Sequence, residues 1–280
     1  MGGFVLDKQG DYLPVFGEAT GGGGGGGISD HSQLSNLDYE HAGHTGFMTS
    51  ANYLPAGTVI NVKTDDSGDY TTISSALASL VGKWSDGSVT IQLGNGTFDV
   101  SSTQQILSTN FNIPKLIITG NGASNTTINW TTTTAAADMF RVLGLNVTIS
   151  KCTIQNTNGS TSTDYRGIMA LDNAYVFVSE CTFSGINYAV WAFRGGNCAF
   201  AKCNFSNCAK AVVAEGGNIY IQWATTGTFS TVTTALNVSG GGIIKGGGNT
   251  FTFTSVTNQV SQTAGTATVN GWIAVSGLTV

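Results

Sequence analysis

Three carboxylates in the central part of the chain, Asp172, Glu180 and Glu215, are the best raw material for acid–base chemistry. Hydrolysis of a glycosidic bond needs two carboxylates roughly 5–9.5 Å apart, one of them held protonated by its surroundings. Elimination from a uronate needs a base, usually beside Ca²⁺ gripped by clustered carboxylates. No Asp-Asp or Asp-x-Asp pair and no histidine occurs in residues 139–267. The acidic turn Asp65-Asp66-Ser67-Gly68-Asp69 has enough charge for Ca²⁺ but lacks the full twelve-residue calcium-loop pattern. The reading therefore leans away from an enzyme and assigns no cofactor. A hydrolase or lyase site formed between subunits stays open.

Other candidates are neutral or weakly basic. Tyr188 and Trp191 are expected in a turn, where exposed rings stack on the faces of sugars. The alternative is that the central aromatics (Tyr165, Tyr175, Tyr188, Trp191, Phe193 and Trp223) pack against a second subunit or fill the interior. All three histidines fall between residues 31 and 44. His41 and His44 would bind a metal only where three-fold symmetry gathers copies of them; otherwise they are loop or interface residues. Five cysteines cannot all pair within one chain. Three of them share one repeat position and read as small apolar packing residues of a protein made in a reducing cytoplasm.

These residues must be positioned by the repeat that carries them. Val147-Thr148-Ile149-Ser150-Lys151-Cys152-Thr153-Ile154 returns as Val176-Phe177-Val178-Ser179-Glu180-Cys181-Thr182-Phe183, and again as Cys198-Ala199-Phe200-Ala201-Lys202-Cys203-Asn204-Phe205. Weaker echoes stand at Ile219-Tyr220-Ile221 and Ile243-Ile244. Equivalent positions 147, 176, 198, 219 and 243 are 29, 22, 21 and 24 residues apart. Short β runs and turns at this period, with no helical segment between them, describe a solenoid. Strand alternation turns Val147/Ile149, Val176/Val178, Cys198/Phe200, Ile219/Ile221 and Ile243 inward. Lys151, Glu180 and Lys202 then form one column about 4.8 Å apart, a self-satisfied ladder of alternating sign. The same alignment sets Asp172 beside Arg194, with Glu215 near that column one coil later. Asp138 stands three residues from Arg141, and Asp164 two from Arg166. Surface ion pairs are the simplest reading of all these carboxylates.

Ahead of the repeats lie three sections. Residues 1–20 carry apolar anchors (Phe4, Leu6, Tyr12, Leu13 and Phe16 among them) but cannot bury a core alone, so they read as a docking peptide for another protein. Residues 21–27 are an unbroken glycine run, a flexible linker with a reach of roughly 15 Å. Residues 28–57 form a His-containing neck, and 58–280 the globular part. The latter opens with a strand at Val59–Val62 and a helix over 70–80, with Asp69 or Thr71 as its cap.

Two stretches resemble known families. His31-x-x-Leu34-x-Asn36-Leu37 followed by His41-x-x-His44-x-Gly46-Phe47 is similar to a short segment of bacteriophage tail and baseplate proteins. Tyr70-x-Thr72-Ile73-x-x-Ala76-Leu77, then Leu116-x-Ile118-x-Gly120-x-Gly122-x-x-x-Thr126-x-Ile128, resembles the entry to right-handed parallel β-helices of the pectin lyase-like kind. There a short helix covers the first coil. An amphipathic helix is also what an unpaired strand edge demands. The second resemblance implies an all-β fold, a single-stranded right-handed parallel β-helix, and is nearly silent on activity.

Composition narrows the partners. Charged residues make up 10% of the chain against a usual value of about 25%. A net charge of −5 with 11 Lys+Arg argues against nucleic acid. No apolar run is long enough for membrane insertion. Together with the phage resemblance, the expectation is a virion appendage, a short fibre or spike. It would be a homotrimer held to another virion protein by its N-terminus, displaying a β-helix to host surface polysaccharide. The alternatives are a polysaccharide depolymerase on the same fold and a virion decoration protein without a ligand.

Overall fold

The computed structural model describes residues 4–6, 12–14, 52–132, 137–157, 165–222, 225–246, 249–263, 268–270 and 273–274. In the head, Phe4–Leu6 and Tyr12–Pro14 pair antiparallel, with Phe4 opposite Pro14 and Leu6 opposite Tyr12. Phe16, the glycine run at 21–27 and residues 28–51 of the neck, with His31, His41 and His44, lie outside the described residues, as do Asp164 and Trp223.

From residue 52 onward the chain winds through three parallel sheets. After a first coil that pairs a sheet 1 strand with the helix, successive coils contribute one strand to sheet 1, then one to sheet 2, then one to sheet 3. Sheet 1 runs from Val59–Val62 through Ser88–Leu93, Lys115–Thr119, Asn146–Ser150, Tyr175–Ser179, Asn197–Ala201, Asn218–Ile221 and Ile243–Gly246 to Thr268–Asn270. Sheet 2 begins at Gly96–Val100 and includes Thr182–Ser184, Asn204–Ser206, Thr226–Ser230 and Asn249–Thr254. Sheet 3 begins at Gln104–Leu107 and includes Asp138–Leu143, Arg166–Leu171, Tyr188–Phe193, Lys210–Glu215 and Thr234–Ser239. The all-β parallel solenoid expected from the repeats is the fold. It starts earlier than residue 58, because Leu54 N donates to Trp84 O at 2.9 Å and the Tyr53 ring packs on Trp84 at 4.4 Å.

The helix is shorter than expected, Ile73–Ser79, and its cap is neither Asp69 nor Thr71. Thr72 lies in extended backbone, and its hydroxyl accepts from Ser75 N at 3.1 Å, the geometry an N-cap requires. Asp69 is engaged elsewhere, accepting from Asn61 N at 2.7 Å. Ile73, Ala76, Leu77 and Leu80 are buried and close the core at the first coil.

Inward columns fill the bore. Val147, Val176, Cys198 and Ile219 stack in register on sheet 1, as do Ile149, Val178, Phe200 and Ile221. The last expected member is corrected by one residue: Ile219 pairs with Ile244, which is buried, and Ile243 pairs with Asn218. The Gly240-Gly241-Gly242 turn carries no side chains that would have fixed the register from sequence. On sheet 2, Phe183, Phe205, Phe229 and Phe253 stack nearly parallel at 5.1, 5.0 and 5.2 Å. Each such pair adds about 0.5–1.5 kcal/mol beyond area burial.

Between sheets 1 and 2 the thiols of Cys152 and Cys181 stand 3.8 Å apart, with Cys203 one coil further on. All five thiols are free and buried. Burial pushes the Cys198 and Cys208 thiols up to about 12, and Cys203 higher still.

The register sets two measurable outcomes. Ile244→Asn should cost about 3 kcal/mol in chemical denaturation, from lost burial plus an unsatisfied amide, whereas Ile243→Asn should stay within roughly 0.5 kcal/mol. A folded thiol held above its ordinary value of 9.0 favours the native state fully below that pH. Stability should therefore fall as pH rises from about 9 toward 12. Thiol-reactive reagent at pH 8 should label the native chain slowly and the unfolded chain at all five positions.

Candidate functional site

The exterior of sheet 3 concentrates the chain's strongest binding groups. Strand Tyr188–Phe193 reads Tyr-Ala-Val-Trp-Ala-Phe, and Val190 and Ala192 fill the core. Alternation turns Trp191 and Phe193 outward. The Tyr188 and Trp191 rings lie 5.3 Å apart, and Trp191 and Phe193 5.2 Å apart, giving a continuous half-buried run of three aromatics. Tyr188 and Trp191 therefore sit on a strand and not in a turn. The apolar residues on both faces of this strand hide the alternation that marks a strand in sequence.

Cations from this strand's end and from the neighbouring coils cover the rings. Arg166 lies over Trp191 at 4.6 Å, Arg194 over Phe193 at 4.9 Å, and Lys210 over Tyr188 at 5.4 Å. The register explains this, since Arg166 pairs with Tyr188 and Tyr188 with Lys210. All three arginines of the sequence (141, 166 and 194) stand on this sheet or directly after it. Such contacts are worth about 0.5–2 kcal/mol each. Trp191 Nε1 and Arg166 Nε are buried with no acceptor among the described residues.

Asp138 anchors the strip. Its carboxylate, 5% exposed, lies 3.0 Å from Arg166 Nη1 and 3.7 Å from Arg141 Nε. The Arg141 pair follows from sequence spacing. The closer Arg166 pair requires the 28-residue register step between coils.

The catalytic candidates do not converge. Glu180 is at the corner from sheet 1 to sheet 2, Asp172 at the corner from sheet 3 to sheet 1, and Glu215 ends its sheet 3 strand in register with Phe193. Asp172 N donates to Arg194 O at 3.3 Å and Arg194 N to Glu215 O at 3.1 Å, so one coil lies between the two residues and their backbones stand about 10 Å apart by strand spacing. The ladder of Lys151, Glu180 and Lys202 and the Asp172–Arg194 pair are in register, but neither closes into ion pairs among the described residues. All five side chains are exposed on residues with positive φ (44° to 57°) at the corners. There the cost of ordering long side chains offsets the screened attraction. In the acidic turn, Asp65 Oδ1 accepts from Ser67 N and Oγ at 3.1 and 2.7 Å, so its charge serves the turn itself. Those bonds, to Ser67 Oγ first, hold the Asp65 carboxyl below its usual range. Among the described residues no group of three or more His, Cys, Asp or Glu could hold a metal ion, and no helix is long and apolar enough to cross a membrane.

A coil of three parallel sheets with stacked interior columns defines a class, and the family comparison agrees. Residues 100–260, more than half of the chain, match the family model described as the right handed beta helix region, and the chain belongs to that family. Among solved structures it is similar to a pectin methylesterase in complex with a hexasaccharide, at 11% identity over 70% of this chain and 79% of that one, TM-score 0.46. It is also similar to the pectin methylesterases of Aspergillus niger (12%, 80% and 88%, 0.39) and carrot (12%, 79% and 85%, 0.41). This likeness extends to the fold alone. No curated protein matches the sequence.

The anchoring role of Asp138 has a direct check. Arg166→Met should destabilise the chain by roughly 2 kcal/mol in denaturant unfolding, because a buried carboxylate loses its nearer charged partner. Arg141→Met, removing the longer and more exposed contact, should cost under about 1 kcal/mol.

Proposed function

We propose that this chain is a non-catalytic attachment module, a rigid β-helix that presents the aromatic–cationic strip of sheet 3 to a cell-surface polysaccharide. The observation that carries this reading is the run Tyr188–Trp191–Phe193 with Arg166, Arg194 and Lys210 stacked against it. Rings match the apolar faces of sugars, and guanidinium or ammonium groups match sugar carboxylates. The placement of Glu180 at a different corner from Asp172 supports binding over turnover.

The neck motif around His41 and His44, similar to phage tail and baseplate proteins, favours a virion appendage as the setting. In that setting the N-terminal hairpin Phe4–Pro14 docks on another virion protein and the glycine run is a tether. Closed three-fold assembly would place several strips on one particle, so that weak sites act together. A depolymerase is the second reading. Asp172 and Glu215 lie on either side of Arg194 where sheet 3 gives way to the corner, two carboxylates on nearby coils.

Incubating the purified full chain with acidic surface polysaccharides separates these readings. Binding without release of oligosaccharides is expected, and Trp191→Ala should weaken it about tenfold, the loss of roughly 1.4 kcal/mol. Product formation abolished by Asp172→Ala would replace attachment with hydrolysis. Absence of binding to any acidic glycan would end the attachment reading.

A further inference from the structure

A second site lies away from the strip, where the coils change length. Most turns from sheet 3 to sheet 1 are short: Gly144 and Leu145 alone link Leu143 to Asn146, and residues 172–174 link Leu171 to Tyr175. One coil earlier the same turn spans residues 108–114, between Leu107 and Lys115. The longer turn, anchored in the core by Phe111 and Ile113, forms one wall of a shallow, open groove of about 510 Å³ beside its shorter neighbours. That volume is within the ~300–1,000 Å³ usual for small-molecule sites.

The wall is fixed in place. Gly82 N donates to Asn110 O at 3.0 Å, Asn112 N to Lys83 O at 3.1 Å, and Ser85 N to Asn112 O at 3.0 Å. Gly144, with φ of 63°, keeps the floor low; a Cβ there would stand 2.6 Å from Ser108 Oγ.

The lining chemistry is distinctive. Ser108, Asn112, Asn146, Asn173 and Tyr175 supply two hydroxyls and three amides, with Phe111 behind them and no charged side chain. Two exterior pairs join amide to amide: Asn218 Nδ2 donates to Asn197 Oδ1 at 3.0 Å, and Asn121 Nδ2 to Asn95 Oδ1 at 3.0 Å. The side chains of Asn112, Asn146 and Asn173 have no such partner among the described residues. Amides pair through donor and acceptor together, the pattern that adjacent sugar hydroxyls present. Tyr175 is 40% exposed at the rim, offering a ring face. Partial burial raises its hydroxyl above the ordinary value, so it stays a neutral donor at physiological pH.

We infer that this corner groove binds a neutral sugar unit, its hydroxyls held by Asn112, Asn146 and Asn173 and its apolar face against Tyr175. The site is independent of the sheet 3 strip, which suits acidic glycans.

Saturation-transfer NMR and calorimetry of the full chain against neutral hexoses, N-acetylhexosamines and their short oligomers test this. Binding is expected with a dissociation constant of roughly 1 mM or tighter. Tyr175→Ala and Asn146→Ala should each weaken it at least about fivefold, and Tyr175→Phe should retain most of it. Asn146 is exposed, so its variant keeps the fold, and circular dichroism checks both. Trp191→Ala should leave neutral-sugar binding unchanged while reducing acidic-glycan binding, so failure of one site is not read as failure of the other. No neutral-sugar binding at about 10 mM, or binding indifferent to both Tyr175→Ala and Asn146→Ala, overturns the inference.

Discussion

Everything in the coiled part follows from hydrogen bonding between one coil and the next. In a parallel solenoid a strand's amides and carbonyls are satisfied by neighbouring coils, so register must hold along the whole rod. The ladder continues around the corners. Lys151 N reaches Ser179 O at 3.0 Å, Glu180 N reaches Ala201 O at 3.0 Å, and Asn207 N reaches Ser230 O at 3.1 Å. All three donors sit in left-handed backbone on residues other than glycine. Such a conformation costs about 1–2 kcal/mol per residue, so the unbroken ladder must outweigh it.

Register makes the surface a set of columns, and a column is informative where it breaks its pattern. The exterior of sheet 3 breaks it by composition, gathering arginines and aromatic rings on adjacent coils. The corner between sheets 3 and 1 breaks it by length, since one seven-residue turn stands beside turns of two and three residues. The two proposed binding sites fall at these irregularities, and the regular columns between them are structural. A coil can change a turn or an outward residue without disturbing its neighbours' hydrogen bonds, which is why the scaffold is compatible with many activities.

The inward pattern was readable from sequence because only one side chain in two is constrained by the bore. Val147, Val176, Cys198 and Ile219 align on type and spacing alone. The alignment slips by one residue where glycines remove the markers, at Ile244. The exterior was harder to read. Around Tyr188 and Trp191 both faces are apolar, so a strand looked like a turn. The contact between Arg166 and Asp138 spans 28 residues and becomes visible only once sheet 3 is laid in register. The unpaired amides at Asn112, Asn146 and Asn173 come from three different coils, and nothing local in sequence distinguishes them from the mutually paired Asn197 and Asn218.

The phenylalanine column of sheet 2 has a mechanical consequence. Phe183, Phe205, Phe229 and Phe253 form a spine of nearly parallel rings along the coil axis, each pressed on the next. Bending the rod would have to slide or part these faces, so the spine resists flexure. Tension along the axis meets a different response, because it opposes the bonds of a single interface between coils at a time. A rod built this way stays straight under a sideways load and gives way under a pull by shedding one coil after another from its end.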